Sequence, residues 1–343
     1  IDDIPAGADK ADCEFVGTQV TERLAEEPSH VYVIRTVRRV YKRKGTGEFL
    51  PAPAPRHIFG RCQVDESFLI GMVVKKILWH LPLYRQHQAL KLQGVDLPRS
   101  NFPYWMTKLA TLFAPMPKAI AAEVRSSDVV HCDETPMLVA PRGADGKKHY
   151  GDADHWPLLA AGSGVVFIDR PGRTAMDAKA VLAGINGQLV SDAYNEYEKL
   201  TRSSGPGWQL CMMHIRRNFI DAEASNPAKA KEALDFIREL YRIEKAAKHG
   251  RPTERLKLRI AESKPVMEQF GAWLKTTAAT PEAITDDLLS KAISYVWKRW
   301  DAACLFLKDG RVPIDNGAAA RAIRPVKLGA KNWLFASSEL GAQ

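Results

Sequence analysis

Carboxylates stand at the ends of two apolar stretches of this sequence, where they could hold a metal ion. The first stretch, VVHCDETPMLV, runs from Val129 to Val139 and predicts a buried strand interrupted by Asp133 and Glu134. The second, QLVSDAY, ends its apolar run at Asp192. An acid in an apolar strand costs free energy unless something pairs with it, and a divalent cation would do so. Two such strands suggest one shared metal site. The alternative is that the acids are solvated in the loops that follow.

Basic side chains follow a further predicted strand, at residues 208–213. The segment CMMHIRRNF places His214, Arg216 and Arg217 at the start of a helix. The planar fork of an arginine matches the geometry of a phosphate group. These residues could therefore grip a nucleic-acid backbone. The alternative is a helix start at which Arg216 and Arg217 are only surface charges.

Composition favours a basic globular protein whose first expected partner is nucleic acid. The 343 residues carry a formal net charge of +9, and 45% of them are hydrophobic. The five cysteines are scattered singly without a Cys-x-x-Cys pair, which argues against a thiolate zinc site and for a reducing cytoplasm. There is no apolar run of about 18 residues and no signal peptide, so we expect neither membrane insertion nor secretion. Because the chain begins at Ile1, we expect it to be a fragment or a trimmed chain.

The N-terminal region, residues 1–55, predicts a basic strand. Residues 31–44 alternate apolar and polar side chains and end in Lys42, Arg43 and Lys44. That cluster either contacts phosphate or is a solvated strand edge. The sequence PAPAP at 51–55 predicts an extended linker and marks the boundary.

Residues 56–127 predict a mostly helical region. Helical spacing of apolar residues indicates helices over 66–80 and 84–93, the second ended by Gly94. A third helix, capped by Ser100 or Asn101, would carry an apolar stripe of Tyr104, Trp105, Leu109, Leu112 and Phe113. Two short helices around a glycine turn resemble a helix-turn-helix, although helical hairpins that bind no DNA are commoner.

Residues 128–221 change to an α/β pattern. Strands are predicted at about 129–133, with a possible extension to 139, and at 155–161, 165–170, 188–191 and 208–213, with a helix over 175–185. Two antiparallel pairings, then a helix and further strands, match the ribonuclease H type of sheet, in which the first and fourth strands lie side by side. The expected fold class is therefore α/β: a ribonuclease H-like, mixed five-stranded sheet with a helical insertion, preceded by a mostly helical DNA-binding region.

The insertion would be residues 222–312, which are rich in Lys, Arg and Glu and show no strand pattern. Gly250-Arg251-Pro252 and Thr280-Pro281 divide it into at least three helices. Residues 313–343 form the last region, which we predict to be a cap at Asp315 or Asn316, a helix ending near Pro325, and a basic segment.

Five motifs in the right order together resemble transposases of the insertion sequence 66 family. They are HLPLYRQHQAL, HCDETPMLV, GQLVSDAYNEYEKL, CMMHIRRNF and IDNGAAARAIRPVKLGAKNWLFASSELGA. The resemblance runs from about residue 15 to the end of the chain. It implies a DDE enzyme, in which three acids of a ribonuclease H-like core hold two Mg²⁺ (or Mn²⁺) ions for attack on DNA phosphodiesters.

The same resemblance makes Asp133 the first acid and Asp192 the second, both of them catalytic residues and metal ligands. The third acid is expected in a pattern like Asp-Asn-Asn-x-x-Glu-Arg. This chain reads Asp315-Asn316-Gly317-Ala318-Ala319-Ala320-Arg321, so Ala320 occupies the position of the expected glutamate. A methyl group cannot ligate a metal, and we therefore expect impaired strand transfer.

Two further departures lie nearby. Gly317 replaces an expected Asn, and Ala330 stands where the family usually has Arg. A rescue by Glu339 or Asp315 as the source of the missing oxygen is a less favoured alternative.

A DNA-binding surface is implied around these acids. Its candidate residues are His214, Arg216, Arg217, Arg321, Arg324, Lys327 and Lys331. For Arg321 and Arg324 the alternative is pairing with acids of the helical insertion. Trp333 and Phe335 are predicted to be core residues. His131 is expected to be a core histidine with a hydrogen-bond partner, and Cys132 and Cys211 to be buried packing groups. Glu134 either assists the site electrostatically or is solvated or caps a helix.

The expected partners are double-stranded DNA, as transposon ends and target, and further copies of the chain. No structural zinc is predicted, because Arg43 to Gly47 occupies roughly the place of the paired cysteines that the family often carries. The resemblance implies a bacterial, cytoplasmic and nucleoid-associated protein. The first hypothesis for function is a DNA transposase impaired at Ala320. The second is an inactive relative that binds transposon ends or represses transposition, and a junction resolvase ranks last.

Overall fold

The computed structural model describes residues 31–36, 40–42, 49–51, 57–60, 62–139, 151–204 and 207–334. The chain forms two compact units, Ile1–Asp65 and Glu66–Gln343. The first contains an antiparallel ribbon of β1 (Val40–Lys42) and β2 (Phe49–Pro51). The strand predicted over 31–44 is therefore too long, since residues 31–36 are exposed and have no regular secondary structure. Among the described residues three of β2 pair with β1, and a strand continues only where a neighbour accepts its ladder hydrogen bonds.

Four helices open the second unit. They are α1 (Glu66–Ile77), α2 (Leu83–Leu92), α3 (Asn101–Phe113) and α4 (Pro115–Arg125). The helix predicted to reach residue 80 ends at Ile77. The chain turns after α2 at Gly94, whose φ of +79° is easily adopted only by glycine, as the sequence predicted.

The apolar stripe predicted for α3 is only partly correct. Trp105 and Leu109 are buried together with Phe102, because spacings of three and four residues place them on one helical face. The remaining members are exposed: Tyr104 lies off that face, whereas Leu112 and Phe113 belong to the last turn of α3.

A mixed sheet forms the centre of the second unit. Its strands are β3 (Val129–Cys132), β4 (Thr135–Val139), β5 (Gly151–Leu159), β6 (Val165–Arg170), β7 (Gln188–Ser191) and β8 (Trp208–Leu210). β3 and β4 follow one another along one edge of β5, and β6 pairs with its other edge, all antiparallel. β7 pairs parallel with β3, and β8 parallel with β7.

The described residues of this part of the chain form six strands rather than the predicted five. The first predicted strand is divided at Asp133 and Glu134, because Asp133 Oδ1 accepts the backbone N–H of Glu134 at 3.0 Å. A side-chain acceptor of this kind competes with the sheet for the donor. The second predicted strand begins four residues earlier, at Gly151. The last one ends at Leu210 rather than 213, since the carbonyl of Cys211 already accepts helical N–H groups.

Three helices accompany the sheet: α5 (Ala175–Leu182), α6 (Asn195–Ser204) and α7 (Met212–Ala222). Thr174 starts α5 with a capping box, in which its hydroxyl and the carboxylate of Asp177 each accept the other's backbone N–H. The predicted helix over 175–185 is therefore present but shorter.

The region predicted as the helical insertion, residues 222–312, is helical. It comprises α8 (Pro227–Ala246), α9 (Pro252–Leu258), a π-helical turn (Arg259–Ser263), α10 (Lys264–Ala278), α11 (Pro281–Thr285), α12 (Asp287–Trp297) and α13 (Trp300–Ala303). Helices end at both predicted breaks. The last helix, α14 (Gly317–Trp333), does not end near Pro325 as predicted. Proline removes one helical hydrogen bond, but Pro325 is exposed, and the turns beyond it are held by contacts such as Lys327 Nζ to Pro136 O at 2.9 Å.

One hydrophobic core joins the sheet to the insertion. It includes Trp156 and Leu189 from the sheet, Phe219 from α7, Phe270 from α10 and Val296 from α12, all fully buried. No helix among the described residues is long and apolar enough to cross a bilayer.

Candidate active site

Asp133 and Asp192 leave the sheet side by side. The parallel register pairs His131 with Val190, and each aspartate lies two residues further along its own strand. Both side chains are half-buried. Burial, and then the negative charge of Asp192, raise the pKa of Asp133 to about 6. The structure therefore brings the first and second predicted acids into one electrostatic environment.

Three basic side chains act on Asp133. His214 and Arg217 of α7 and Arg173 of the β6–α5 loop all act to lower the pKa of Asp133. His214 Nδ1 is buried and has no hydrogen-bond partner among the described residues. Arg173 is not among the site residues that the sequence predicted. The predicted strand pairing could have indicated it. β5 is antiparallel to both β3 and β6, so β6 runs parallel to β3 and ends at the same side of the sheet. The loop after β6 therefore reaches the acids.

The start of α14 is fixed to the strand that carries Asp133. Asn316, 1% exposed, donates from Nδ2 to the carbonyl of Cys132 at 2.7 Å. Its Oδ1 lies 3.0 Å from Nδ1 of buried His131. The backbone N–H of Asn316 donates to Cys211 Sγ at 3.1 Å. The prediction that His131 is a core histidine with a partner is confirmed, and burial lowers its pKa.

Ala320 lies one turn beyond this anchor. Its backbone N–H donates to the carbonyl of Asn316 at 3.2 Å, and the residue is exposed. Asp315 is a poor substitute for the missing glutamate, because its two oxygens already accept hydrogen bonds, from the Tyr241 hydroxyl and the Gly317 N–H, each at 2.8 Å. Glu339 lies outside the described residues. At Gly317 an added Cβ would come within 2.9 Å of Asp315 Oδ1, so the asparagine expected there would crowd this carboxylate.

The basic residues of α14 form one exposed face. Arg321, Arg324, Lys327 and Lys331 are all exposed, and their spacing of three or four residues extends the face over roughly 15 Å. Among the described residues neither Arg321 nor Arg324 forms an ion pair, which disfavours the alternative that they pair with acids of the insertion.

Arg216 and Arg217 diverge on α7. Arg217 acts on Asp133, whereas Arg216 lines an open groove of about 500 Å³ together with Tyr241 and Asp315. Both arginines are exposed.

Glu134 is neither solvated nor a helix cap, so these two interpretations are wrong. Its side chain is 3% exposed, it forms an ion pair with Arg173, and it accepts a hydrogen bond from the Tyr197 hydroxyl at 2.7 Å. The expectation that Cys132 and Cys211 are packing groups is confirmed. Both are buried, and burial raises the pKa of Cys132 to about 12 and that of Cys211 to about 11.

Trp333 is not a core residue, contrary to prediction. It is half-buried at the end of α14, and the Lys76 ammonium lies 4.0 Å from its ring centroid. The ring of His80 lies 6.2 Å away, so Trp333 packs α14 onto α1 instead of entering the core. Phe335 lies outside the described residues.

Comparison with known proteins decides the family. A model described as "Transposase IS66 family" matches residues 61–343. The chain belongs to the IS66 transposase family. It is also 30% identical over 344 residues to the uncharacterized protein y4jD of Sinorhizobium fredii, covering 96% of this chain and 66% of y4jD. A second relative from the same organism, the uncharacterized protein y4hP, is 30% identical over 347 residues, covering 95% of this chain and 62% of y4hP. The chain thus spans less than two thirds of the length of these relatives.

A divalent metal is implied by the IS66 family, and the residues present fit one. Two carboxylates stand at neighbouring strand ends, and the charge of one raises the pKa of the other. Such oxygen donors are the ligands that Mg²⁺ prefers. Asp133 and Asp192 would hold the ion, which when bound would polarise a phosphodiester and activate the attacking oxygen. The chain's own contribution is the positive charge of Arg217 and Arg173, together with the imidazole of His214, beside the two acids.

A first prediction for this IS66-family chain concerns pH and stability. The pKa of Asp133 is about 6 in the folded protein, above its ordinary value of 3.8. The folded state therefore binds more protons than the unfolded state between these values, and stability falls as pH rises through this window. In EDTA, Asp133→Asn should remove this pH dependence and stabilise the protein at pH 7 by roughly 3 kcal/mol. Thermal unfolding from pH 4 to 8 measures it.

The matched control is the same titration of the two proteins in Mg²⁺. The ion should stabilise the unsubstituted chain and have less effect on the Asp133→Asn variant, because one ligand is lost. Identical pH profiles of the two proteins in EDTA would contradict the buried, charge-paired environment described for Asp133.

Proposed function

We propose that this chain is the catalytic part of a DNA transposase, which performs Mg²⁺-dependent phosphodiester cleavage and strand transfer at transposon ends and is weakened by Ala320. The observation that carries the proposal is the position of Asp133 and Asp192 at adjacent strand ends, with the start of α14 hydrogen-bonded to the same strand. This arrangement supports residue 320, on the first turn of α14, as the position of the third family acid.

A ribonuclease H-like core is part of the proposal. β3, the first part of the first predicted strand, lies between the second predicted strand (β5) and the fourth (β7), which is the arrangement that places the first and fourth strands side by side. The helical insertion lies between β8 and α14. The chain therefore leaves the sheet after β8, the strand that follows the second acid, and α14 then carries the third position, residue 320. The five regions predicted from the sequence and self-association on paired DNA ends remain predictions.

The proposed DNA surface is the exposed basic face of α14 continued by α7. Residue 320 and the four basic residues of α14 share that face, so phosphate contacts along it would bring the duplex to the acids. His214 and Arg217 would contact the strand nearest Asp133, and Arg216 would contact DNA at the groove beside Asp315.

A second candidate function is supported by Ala320 itself. A relative without the third carboxylate would keep the fold and the basic surface but would not cut DNA. Such a protein could bind transposon ends or repress an active copy. DNA binding is common to the two candidates, and cleavage separates them.

Salt dependence tests the DNA surface. The substrate is a duplex taken from the DNA that borders the chain's own coding sequence. Changing Arg324, Lys327 and Lys331 together to Gln should weaken binding and reduce the slope of log K against log salt by about 2.7, at roughly 0.9 per phosphate contact. Fluorescence anisotropy at several salt concentrations measures the slope.

The control removes three charges elsewhere. Arg242, Lys264 and Lys291 lie on α8, α10 and α12, and each already pairs with a carboxylate of the insertion. Their Gln variant should keep most of the slope. Binding that does not respond to salt, or an equal loss in both triple variants, would refute the proposed surface.

A further inference from the structure

Next to the aspartate pair, a buried carboxylate forms an ion pair with an arginine. Glu134 directly follows Asp133, is 3% exposed, and forms an ion pair with Arg173. Its other oxygen accepts the Tyr197 hydroxyl at 2.7 Å, and that hydroxyl lies 3.4 Å from Cys132 Sγ. Burying an unpaired carboxylate is costly, so each oxygen of Glu134 has its own donor.

Arg173 is held from a second direction by Tyr194. Its guanidinium carbon lies 4.8 Å from the centroid of the Tyr194 ring, and the Tyr194 hydroxyl donates to the backbone carbonyl of Arg173. The backbone N–H of Tyr194 in turn donates to Asp192 Oδ1 at 3.1 Å. The cluster therefore connects the residue after the first acid to the residues after the second.

Most N–H donors of the Arg173 guanidinium have no hydrogen-bond partner among the described residues. Glu134 is its one hydrogen-bond partner among the described residues, and the guanidinium has five N–H donors. The Arg173 side chain is 44% exposed, in contrast to the carboxylate that anchors it. Its charge reaches Asp133, whose pKa it acts to lower. An orientated, partly exposed arginine beside two acids suits a bidentate contact to a phosphate.

We propose that Arg173 binds a DNA phosphate beside Asp133 and Asp192, and that Glu134 and Tyr197 are positioning residues that hold its guanidinium in place. The inference rests on the proposed function and adds a substrate contact from the β6–α5 loop. The competing explanation is that Arg173 serves only as the counterion of Glu134. The Tyr197 hydroxyl already supplies Glu134 with one donor, and a counterion alone would not require the exposed face of Arg173.

A pair of variants separates substrate contact from charge compensation. Arg173→Gln alone leaves Glu134 buried without a cation, so it should lower the thermal midpoint. The double variant Arg173→Gln with Glu134→Gln removes both charges and should recover most of that loss. If Arg173 touches DNA, the double variant should still bind the bordering duplex roughly tenfold more weakly, with the salt slope reduced by about 0.9.

Conservative variants test the positioning role. Tyr197→Phe deletes one hydroxyl and keeps the Arg173 charge, so it should weaken binding by less and leave the salt slope unchanged. Arg173→Lys should likewise keep the slope but lose affinity, because an ammonium lacks the fork geometry. Arg242→Gln, which removes an exposed arginine already paired with Glu239, is the matched control and should bind like the unsubstituted chain.

The outcomes are distinct. A double variant that recovers stability and also binds DNA with the full affinity and slope would overturn the inference and leave the proposed function intact. If the unsubstituted chain shows no salt-dependent DNA binding, the proposed function fails, and the inference fails with it.

Discussion

Replacing Ala320 with glutamate is expected to raise Mg²⁺-dependent DNA cleavage by this chain on the order of 10³-fold, since removal of one member of a catalytic unit costs at least that much. Residue 320 is exposed on the first turn of α14, and that turn is fixed by the hydrogen bond from Asn316 to the carbonyl of Cys132. A glutamate there would supply the third carboxylate that the family pattern contains. Because the position is exposed, the substitution should change stability by no more than about 0.5 kcal/mol.

Cleavage of the bordering duplex, followed on a denaturing gel in Mg²⁺ and in Mn²⁺, measures this effect. Ala320→Gln is the matched control, since it has the same length without the charge and should remain inactive. Adding Asp192→Asn to Ala320→Glu should abolish the recovered activity. If the Ala320→Glu variant still binds the duplex but recovers no cleavage activity, the second candidate function remains, that of an inactive relative that binds DNA.

Arg259→Leu is expected to lower the free energy of unfolding by about 3–5 kcal/mol, the usual cost of breaking a buried ion pair by removing one partner. Arg259 is fully buried at the start of the π-helical turn and pairs with both oxygens of Glu244, at 2.7 and 2.8 Å. Its Nη1 also donates to three backbone carbonyls, of Phe306, Asp309 and Val312, at 2.9, 3.1 and 2.9 Å. The variant would remove the guanidinium from all these acceptors, although the carbonyl of Asp309 would keep the backbone N–H of Val312 as a donor.

The hydrogen bonds of Arg259 hold the part of the chain that leads into the candidate active site. The three carbonyls belong to the segment that directly precedes Asp315 and the start of α14. Urea denaturation measures the loss, and Arg242→Leu is the control, because Arg242 is exposed and pairs with the exposed Glu239. The control should be much less affected. An equal loss in both variants would mean that the buried guanidinium contributes no more than a surface charge.

Local patterns in the sequence were sufficient where a short stretch determines its own structure. The apolar runs before Asp133 and Asp192 predicted two strands that end in acids, and both strands are present. The breaks at Gly250-Arg251-Pro252 and Thr280-Pro281 act on the backbone of their neighbours, and they divide the insertion as predicted. The family motifs predicted the third position at residue 320 without any knowledge of the fold, and that assignment stays a prediction.

Other features depend on partners that are distant in the sequence. Glu134 carries the pattern of a loop acid, yet it is buried, because Arg173 and Tyr197 lie 39 and 63 residues away and converge on it. Pro325 is a helix breaker by local rules, but α14 continues through it. Lys327 reaches the carbonyl of Pro136, 191 residues earlier in the chain.

The sequence by itself therefore determined the family and most of the elements that carry the two aspartates, because side-chain type and backbone preference are local properties. It also predicted which residues would carry the chemistry. Only the tertiary structure decided how those elements meet. The parallel pairing of β3 with β7 places two aspartates together, and Asn316 ties α14 to the same strand. The tertiary structure also brings Arg173 to the side of these two aspartates. Contacts of this kind depend on sheet order and packing, and neither is encoded in the spacing of neighbouring residues.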